Sequence, residues 1–272
     1  MNINTIGFIG AGNMGGAMIG GICNSDLITP SQLIASDYSQ AALSRLEDAY
    51  GIRTTSNNDE VARESDILFL AIKPNKFAEV LPAIASSLKN DCLVVSIAAG
   101  QSIRTVESLL GTTVKIVRAM PNTPALVGEA MSALCCNKLV TEEELTYVKN
   151  LFECFGKAEL VSEDMIDTVI GVSGSSPAYV YMFIEAMADA AVADGMPRQM
   201  AYKFAAQSVL GAAKMVLETG THPAVLKDAV CSPGGTTIEA VAALEAGGLK
   251  GTVIAAQRAC VQKSKDMTKK IS

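Results

Sequence analysis

Residues 5–15 set the terms for everything after them. A β-type run at 5–9 opens directly onto Gly10-Ala11-Gly12-Asn13-Met14-Gly15, and a helical pattern follows over 14–23. A GxGxxG spacing by itself says little, but between a strand and a helix it specifies a particular turn. The first glycine permits the tight reversal, the second lets backbone approach a pyrophosphate, and the third lets helix and strand touch. The helix start then offers unpaired N–H groups and a positive dipole end to phosphates. Gly10, Ala11, Gly12, Asn13, Met14 and Gly15 are therefore expected to hold a dinucleotide. A glycine turn that serves packing alone is the weaker reading, given the strand and helix on either side.

The next 150 residues keep the same rhythm. Further β-type runs lie at 33–36, 67–72, 93–97, 114–118, 130–136 and 158–161, with helical patterns at 40–50, 76–88, 103–110 and 142–155 between them. Several runs are continuously apolar rather than alternating, as in strands covered on both faces of a parallel sheet. The alternation implies a doubly wound α/β domain of Rossmann type over residues 1–162. Beyond that the strand pattern stops. Helices are expected at 177–194, 197–219, 224–230, 237–246 and 249–267, so residues 163–272 form an all-helical domain. Its apolar content is high for a free-standing bundle, which points to a homodimer through the helices.

Charge and composition narrow the partners. The net charge is −6, and the one basic cluster, Lys263, Lys265, Lys269 and Lys270, suits a solvated helix end. Nucleic acid is not expected. No apolar run reaches membrane-spanning length, and the N-terminus lacks a signal-peptide pattern, so a cytoplasmic protein without membrane contact is expected. Seven cysteines include the adjacent Cys135 and Cys136 but no CxxC pair; reduced core thiols and no metal site follow. The single histidine, His222, precedes Pro223 and suits a surface loop.

Two further places bear on the cofactor. Asp37 closes the second β-type run, about 20 residues after the glycine loop, where a carboxylate reads ribose hydroxyls and repels a 2′-phosphate. It favours NADH over NADPH, and it suits a helix N-cap as well. Lys73-Pro74 follows the run 67–72, and Ser96-Ile97-Ala98 closes the run 93–97; both lie at strand ends, where ligands of open α/β sheets bind.

The helical part holds a second glycine loop, Val230-Cys231-Ser232-Pro233-Gly234-Gly235-Thr236-Thr237, leading into a helix. Free backbone, three hydroxyls and a helix start make a place for a small anion such as a carboxylate. The alternative is an ordinary loop with Thr236 or Thr237 as N-cap. No lysine stands in the first long helix to act as general acid, and no Tyr-xxx-Lys pair occurs in the α/β part. A protonated imine, already electrophilic, is a hydride acceptor that needs little acid help.

These segments together resemble the pyrroline-5-carboxylate reductases. The resemblance is carried by Gly7-Phe8-Ile9-Gly10-Ala11-Gly12-Asn13-Met14-Gly15, Phe69-Leu70-Ala71-Ile72-Lys73-Pro74, Arg118-Ala119-Met120-Pro121-Asn122-Thr123-Pro124, Ser173-Gly174-Ser175-Ser176-Pro177-Ala178-Tyr179 and Leu226 through Thr237. It implies reduction of 1-pyrroline-5-carboxylate to L-proline with NAD(P)H, the last step of proline biosynthesis. It implies that Val230, Ser232, Gly234, Gly235, Thr236 and Thr237 bind the substrate, with Thr237 at the ring nitrogen as the catalytic residue. It implies that Asn58, Ala71, Lys73, Pro74, Ser96, Ile97 and Ala98 line the cofactor, and that dimers assemble into larger rings. Ser176 stands where the family often has glycine, and Asp37 where NADPH-preferring members have a small hydroxyl residue. Two other readings are weaker. A β-hydroxyacid dehydrogenase needs the helical lysine that is absent here, and a dinucleotide sensor needs no second anion loop.

Overall fold

The computed structural model describes residues 3–271, with side chains through Thr268. Its chain divides into two compact units. One runs to Ser175 and takes up the chain again from Cys260; the other is Ser176–Ala259.

The first unit is built on one eight-stranded sheet. Its strands are β1 (Ile6–Ile9), β2 (Leu33–Ser36), β3 (Arg53–Thr55), β4 (Ile67–Leu70), β5 (Leu93–Ser96), β6 (Lys115–Met120), β7 (Ala130–Cys136) and β8 (Gly156–Leu160), in the order β3-β2-β1-β4-β5-β6-β7-β8. The helices are α1 (Asn13–Cys23), α2 (Gln40–Tyr50), α3 (Asn58–Glu64), α4 (Phe77–Ile84), α5 (Ile103–Leu110), α6 (Glu142–Glu153) and α7 (Ile166–Val169). Strand order reverses between β1 and β4, which opens a crevice at their carboxyl ends.

The apolar runs are buried on both faces by period two. Ile6 and Phe8, Leu33 and Ala35, Ile67 and Phe69, and Leu93 and Val95 join the core shared with α1, α2 and α6. Ile34, Leu68, Leu70 and Val94 join the opposite core with α4 and α5. Phe8 stacks on Phe69 across adjacent strands, with centroids 4.5 Å apart and planes 4° apart. Full burial of each such ring stabilises the fold by roughly 1.5–3 kcal/mol.

The sheet is mixed rather than purely parallel. β7 runs antiparallel to β6, and β8 is parallel to β7. A parallel crossover needs about a dozen residues or more. The short link after Met120 is a 3-10 turn, Thr123–Val127, which allows only an antiparallel return. Two elements gave no usable sequence signal. β3 is three residues, Arg-Thr-Thr, none of them buried, and α3 buries only Val61 and Ala62. The helical pattern expected over 76–88 is a 3-10 turn at Pro74–Lys76, then α4, then a second 3-10 turn at Ala85–Ser87.

The strand pattern ends near residue 162, yet the chain stays with the sheet as far as Ser175. Ile166 and Ile170 enter the core that includes Val94 and Ile116. The returning C-terminal stretch is fastened to the same segment, with Ser264 Oγ donating to Asp167 Oδ1 at 2.6 Å. Lys263 and Lys265 are exposed there, while the side chains of Lys269 and Lys270 lie outside the described ones.

The second unit contains α8 (Ser176–Ala193), α9 (Arg198–Thr219), α10 (Pro223–Ala229), α11 (Thr236–Ala246) and the first part of α12 (Leu249–Ile271). Only Ala188, Ala201 and Ala205 are buried in it. Phe183, Phe204, Leu210, Met215 and Leu217 are all exposed. Helices that bury no large apolar side chain have no core of their own, and such faces mark an interaction surface. His222 is exposed as expected, but it also caps α10, its Nδ1 accepting from the Ala224 N–H at 3.2 Å.

One polar anchor ties the N-terminal strand to the sheet. Asp66 Oδ2 accepts from the N–H groups of Asn4 (2.8 Å) and Thr5 (3.0 Å), and its Oδ1 accepts from Lys89 Nζ at 2.6 Å. Partial burial pushes the Asp66 carboxyl upward, but these donors outweigh it and hold the carboxyl below its usual value. Its stabilising effect is therefore complete above the unfolded carboxylate pKa of about 3.9 and is lost as pH falls through the lower folded value. Asp66→Asn is expected to lower stability by about 1 kcal/mol at pH 7. The gap from the parent should close below about pH 4 in denaturant melts across pH.

Candidate functional site

The carboxyl ends of β1, β2, β4 and β5 are knit together by backbone hydrogen bonds. Gly10 N–H donates to Ser36 O (2.8 Å), Ala71 N–H to Ile9 O (2.8 Å) and Ile97 N–H to Leu70 O (3.3 Å). The glycine loop sits against this edge. Gly10 has φ 107°, and a Cβ there would stand 2.5 Å from Ala71 O. A Cβ on Gly15 would stand 2.2 Å from Gly10 O. Gly12 is different, because a Cβ there meets nothing within 4 Å. That glycine leaves open space where a side chain would stand. Gly12 is also the N-cap of α1, with no side chain bonded to the first-turn N–H groups and no acidic residue in that turn. An uncapped helix start behind an open cradle fits the pyrophosphate of a dinucleotide. Asn13 is exposed at the same helix start, Met14 is half-buried, and Ala11 is buried.

The other expected cofactor residues gather at this edge to different degrees. Asp37 Oδ2 accepts from Ala11 N–H at 2.7 Å, and its Oδ1 from Ser39 N–H at 2.8 Å. It therefore braces the glycine loop from the end of β2. The N-cap of α2 is Ser39, not Asp37. Asn58, the first residue of α3, accepts from Ser36 Oγ at 2.7 Å, beside Asp37 in sequence. Ala71 touches the loop itself, and a Cβ on Gly15 would lie 3.3 Å from the Ala71 Cβ. Lys73 is exposed and Pro74 half-buried, at the turn that follows β4. Ser96 is fully buried, and its Oγ has no hydrogen-bond partner. Ile97 is half-buried and Ala98 buried.

In the second unit, Gly234 has φ 68°, and Gly235 N–H donates to Ser232 O at 3.0 Å, closing a tight turn. Gly235, not Thr236 or Thr237, is the N-cap of α11, and no side chain caps the helix. The two threonine hydroxyls are therefore not spent on α11. Val230, Ser232, Gly234 and Thr236 are exposed, while Gly235 and Thr237 are half-buried. Glu239, exposed in the first turn, opposes an anion at this helix start, whereas the α1 start carries no acid.

Two anchors were not singled out from sequence, although they sit inside the quoted motifs. Arg118, buried in β6, donates to Glu163 Oε1 at 2.9 Å, and the same oxygen accepts from Ile103 N–H at 2.8 Å. Asn122 donates to Ser173 O at 2.9 Å and accepts from Met131 N–H at 3.0 Å. Both fasten residues 163–175 to the sheet unit, around a π-helical turn at Ile170–Gly174 closed by Ser175 N–H to Ile170 O at 2.8 Å. A buried arginine inside an apolar strand was the available signal, since it requires a carboxylate partner. All seven cysteines are free thiols, and burial pushes Cys92 and Cys135 up to about 12. Among the described residues, no group of three His, Cys, Asp or Glu side chains is arranged to hold a metal, and no helix is long and apolar enough to cross a membrane.

Comparison with known proteins turns this geometry into a family. A family model for pyrroline-5-carboxylate reductase dimerisation matches residues 163–267, and one described as NADP oxidoreductase, coenzyme F420-dependent, matches residues 5–100. The pyrroline-5-carboxylate reductase of Escherichia coli (strain K12) is 55% identical over 264 residues, 97% of this chain and 98% of the relative. The chain belongs to the pyrroline-5-carboxylate reductase family. A pyrroline-5-carboxylate reductase of Arabidopsis thaliana is 39% identical over 97% of this chain and 95% of the relative. Among solved structures, a pyrroline carboxylate reductase of Plasmodium falciparum with NADP bound superposes with TM-score 0.89 at 36% identity, covering 98% of both chains. One from Coxiella burnetii gives 0.91 at 34%, covering 98% of this chain and 99% of the other. The family model for dimerisation begins where the strand pattern ends, whereas the compact units part at Ser175.

A Cβ meets backbone at Gly15 and nothing at Gly12, and substitution separates the two positions. Gly15→Ala is expected to lower Tm by several degrees, because its Cβ meets backbone. Gly12→Ala should keep Tm within a degree or two and weaken NAD(P)H binding about tenfold. Thermal melts with cofactor titration by fluorescence check both.

Proposed function

We propose that this protein reduces 1-pyrroline-5-carboxylate to L-proline, the last step of proline biosynthesis, with hydride delivered to the C=N carbon. The observation that carries the reading is the start of α11, where Gly235 caps the helix by backbone alone. First-turn N–H groups and the hydroxyls of Ser232, Thr236 and Thr237 remain available to a carboxylate. When bound at the Gly10 loop, NAD(P)H supplies the hydride. The remaining chemistry is positional. The substrate nitrogen is protonated, so the C=N carbon is electrophilic without a general acid, and α8 contains no lysine. Val230 and the turn at Ser232–Gly235 hold the carboxylate, and Thr237 Oγ1 accepts from the iminium N–H, fixing the ring. As the C=N electron pair moves onto nitrogen, that same hydrogen bond keeps the new amine in place.

Self-association is part of the reading. The exposed apolar faces of α8 and α9 and the dimerisation model over 163–267 support a homodimer through the helical unit, assembled further into a ring. Free thiols in all seven positions support a cytoplasmic setting. For the cofactor, we read a preference for NADH from Asp37. Its carboxylate is held at the end of β2 by two backbone donors, it keeps acceptor capacity for ribose hydroxyls, and its charge repels a 2′-phosphate.

Initial rates with pyrroline-5-carboxylate and each cofactor test the reaction and the preference together. Substrate-dependent oxidation with proline formed is expected, with the higher kcat/KM for NADH; no proline from either cofactor sinks the assignment. Thr237→Ala is expected to lower kcat about tenfold, the effect of one positioned hydrogen bond. An unchanged kcat would remove Thr237 from the mechanism.

A further inference from the structure

The corner between β2 and α2 leaves one large ring outside the fold. Asp37 turns its carboxylate inward, to Ala11 N–H at 2.7 Å and to Ser39 N–H at 2.8 Å. Ser39 Oγ in turn accepts from Ala42 N–H at the start of α2. The backbone is thus fixed on both sides of Tyr38, and the side chain projects from a rigid corner. Tyr38 is 98% exposed, more than any other large apolar or aromatic side chain among the described residues. Its ring packs against almost nothing, so the fold gains little from an aromatic residue at this position.

The address of this ring is specific. It follows β2, the neighbour of β1 on one side of the point where strand order reverses. Lys76, on the turn after β4, lies on the other side of β1 and pairs with Glu79 at 2.8 Å. The corner that carries the ring therefore lies at the carboxyl end of β2, directly after Asp37 and beside the point where strand order reverses. A dinucleotide whose pyrophosphate rests on Gly12 extends its adenosine half in this direction.

We propose that Tyr38 is the platform on which the adenine of the cofactor stacks. The proposal rests on the reading of the Gly10 loop as the cofactor site. A flat, preset ring meets a purine face without ordering any further backbone. Stacking is blind to the 2′ substituent, so Tyr38 strengthens NADH and NADPH alike, whereas Asp37 separates them.

The test compares dinucleotides with reduced nicotinamide mononucleotide, which has no adenine. Tyr38→Ala is expected to raise KM for NADH and for NADPH by the same factor, about tenfold, the loss of one base-on-ring stack. KM for the mononucleotide should move by less than about twofold, and Tyr38→Phe should retain the parent values. An equal rise with the mononucleotide, or no rise with NADH, overturns the proposal. If the parent protein oxidises neither dinucleotide, the cofactor reading itself falls, a failure distinct from a wrong stacking residue.

Discussion

The sheet edge depends on one contact that no side chain tolerates, the approach of Gly10 and Gly15 to the backbone of each other and of Ala71. Because a Cβ would stand 2.5 Å from Ala71 O at Gly10 and 2.2 Å from Gly10 O at Gly15, the loop lies flush against the ends of β1 and β4. That closeness aims the start of α1 into the crevice. It also leaves Ala11 N–H pointing at Asp37, so the loop and the β2–α2 corner form one braced object. Position here is set by backbone, with side chains as clamps.

The two glycine loops share a device and differ in surroundings. Both place an uncapped helix start behind a glycine N-cap. At α1 the first turn carries no acid, which suits a doubly charged pyrophosphate. At α11 a threonine pair adds hydroxyls and Glu239 subtracts positive potential, which suits a singly charged carboxylate that is also positioned by hydrogen bonds.

Much of this was legible before any coordinates. The apolar runs of β1, β2, β4 and β5 announced themselves because burial on both faces removes polar alternation. α2 and α5 were legible to the residue, although the N-cap of α2 is Ser39 and not Asp37. β3 was not, because an exposed three-residue edge strand carries no periodicity. The direction of β7 was also hidden. It follows from the length and shape of the link around Thr123–Val127, while a strand's own residues do not encode its partner's direction. At the site, spacing pointed to Asp37 but not to where its carboxylate turns, since donor geometry at Ala11 exists only in the folded loop. Tyr38 was invisible for the opposite reason: a tyrosine in a sequence looks the same whether packed or fully exposed.

The helical unit carries a consequence of a kinetic kind. Its sheet-bearing neighbour closes its own cores from within one chain, a first-order event. Residues 176–259 bury three alanines and little else. If its interior is completed by a second copy, as proposed, maturation requires encounter, and that step is second-order in chain concentration. Under two-fold symmetry every substitution on that surface is met by itself, and each gain or loss in the borrowed interior is counted twice. Dilution is then a perturbation to which the two halves of the same polypeptide respond differently.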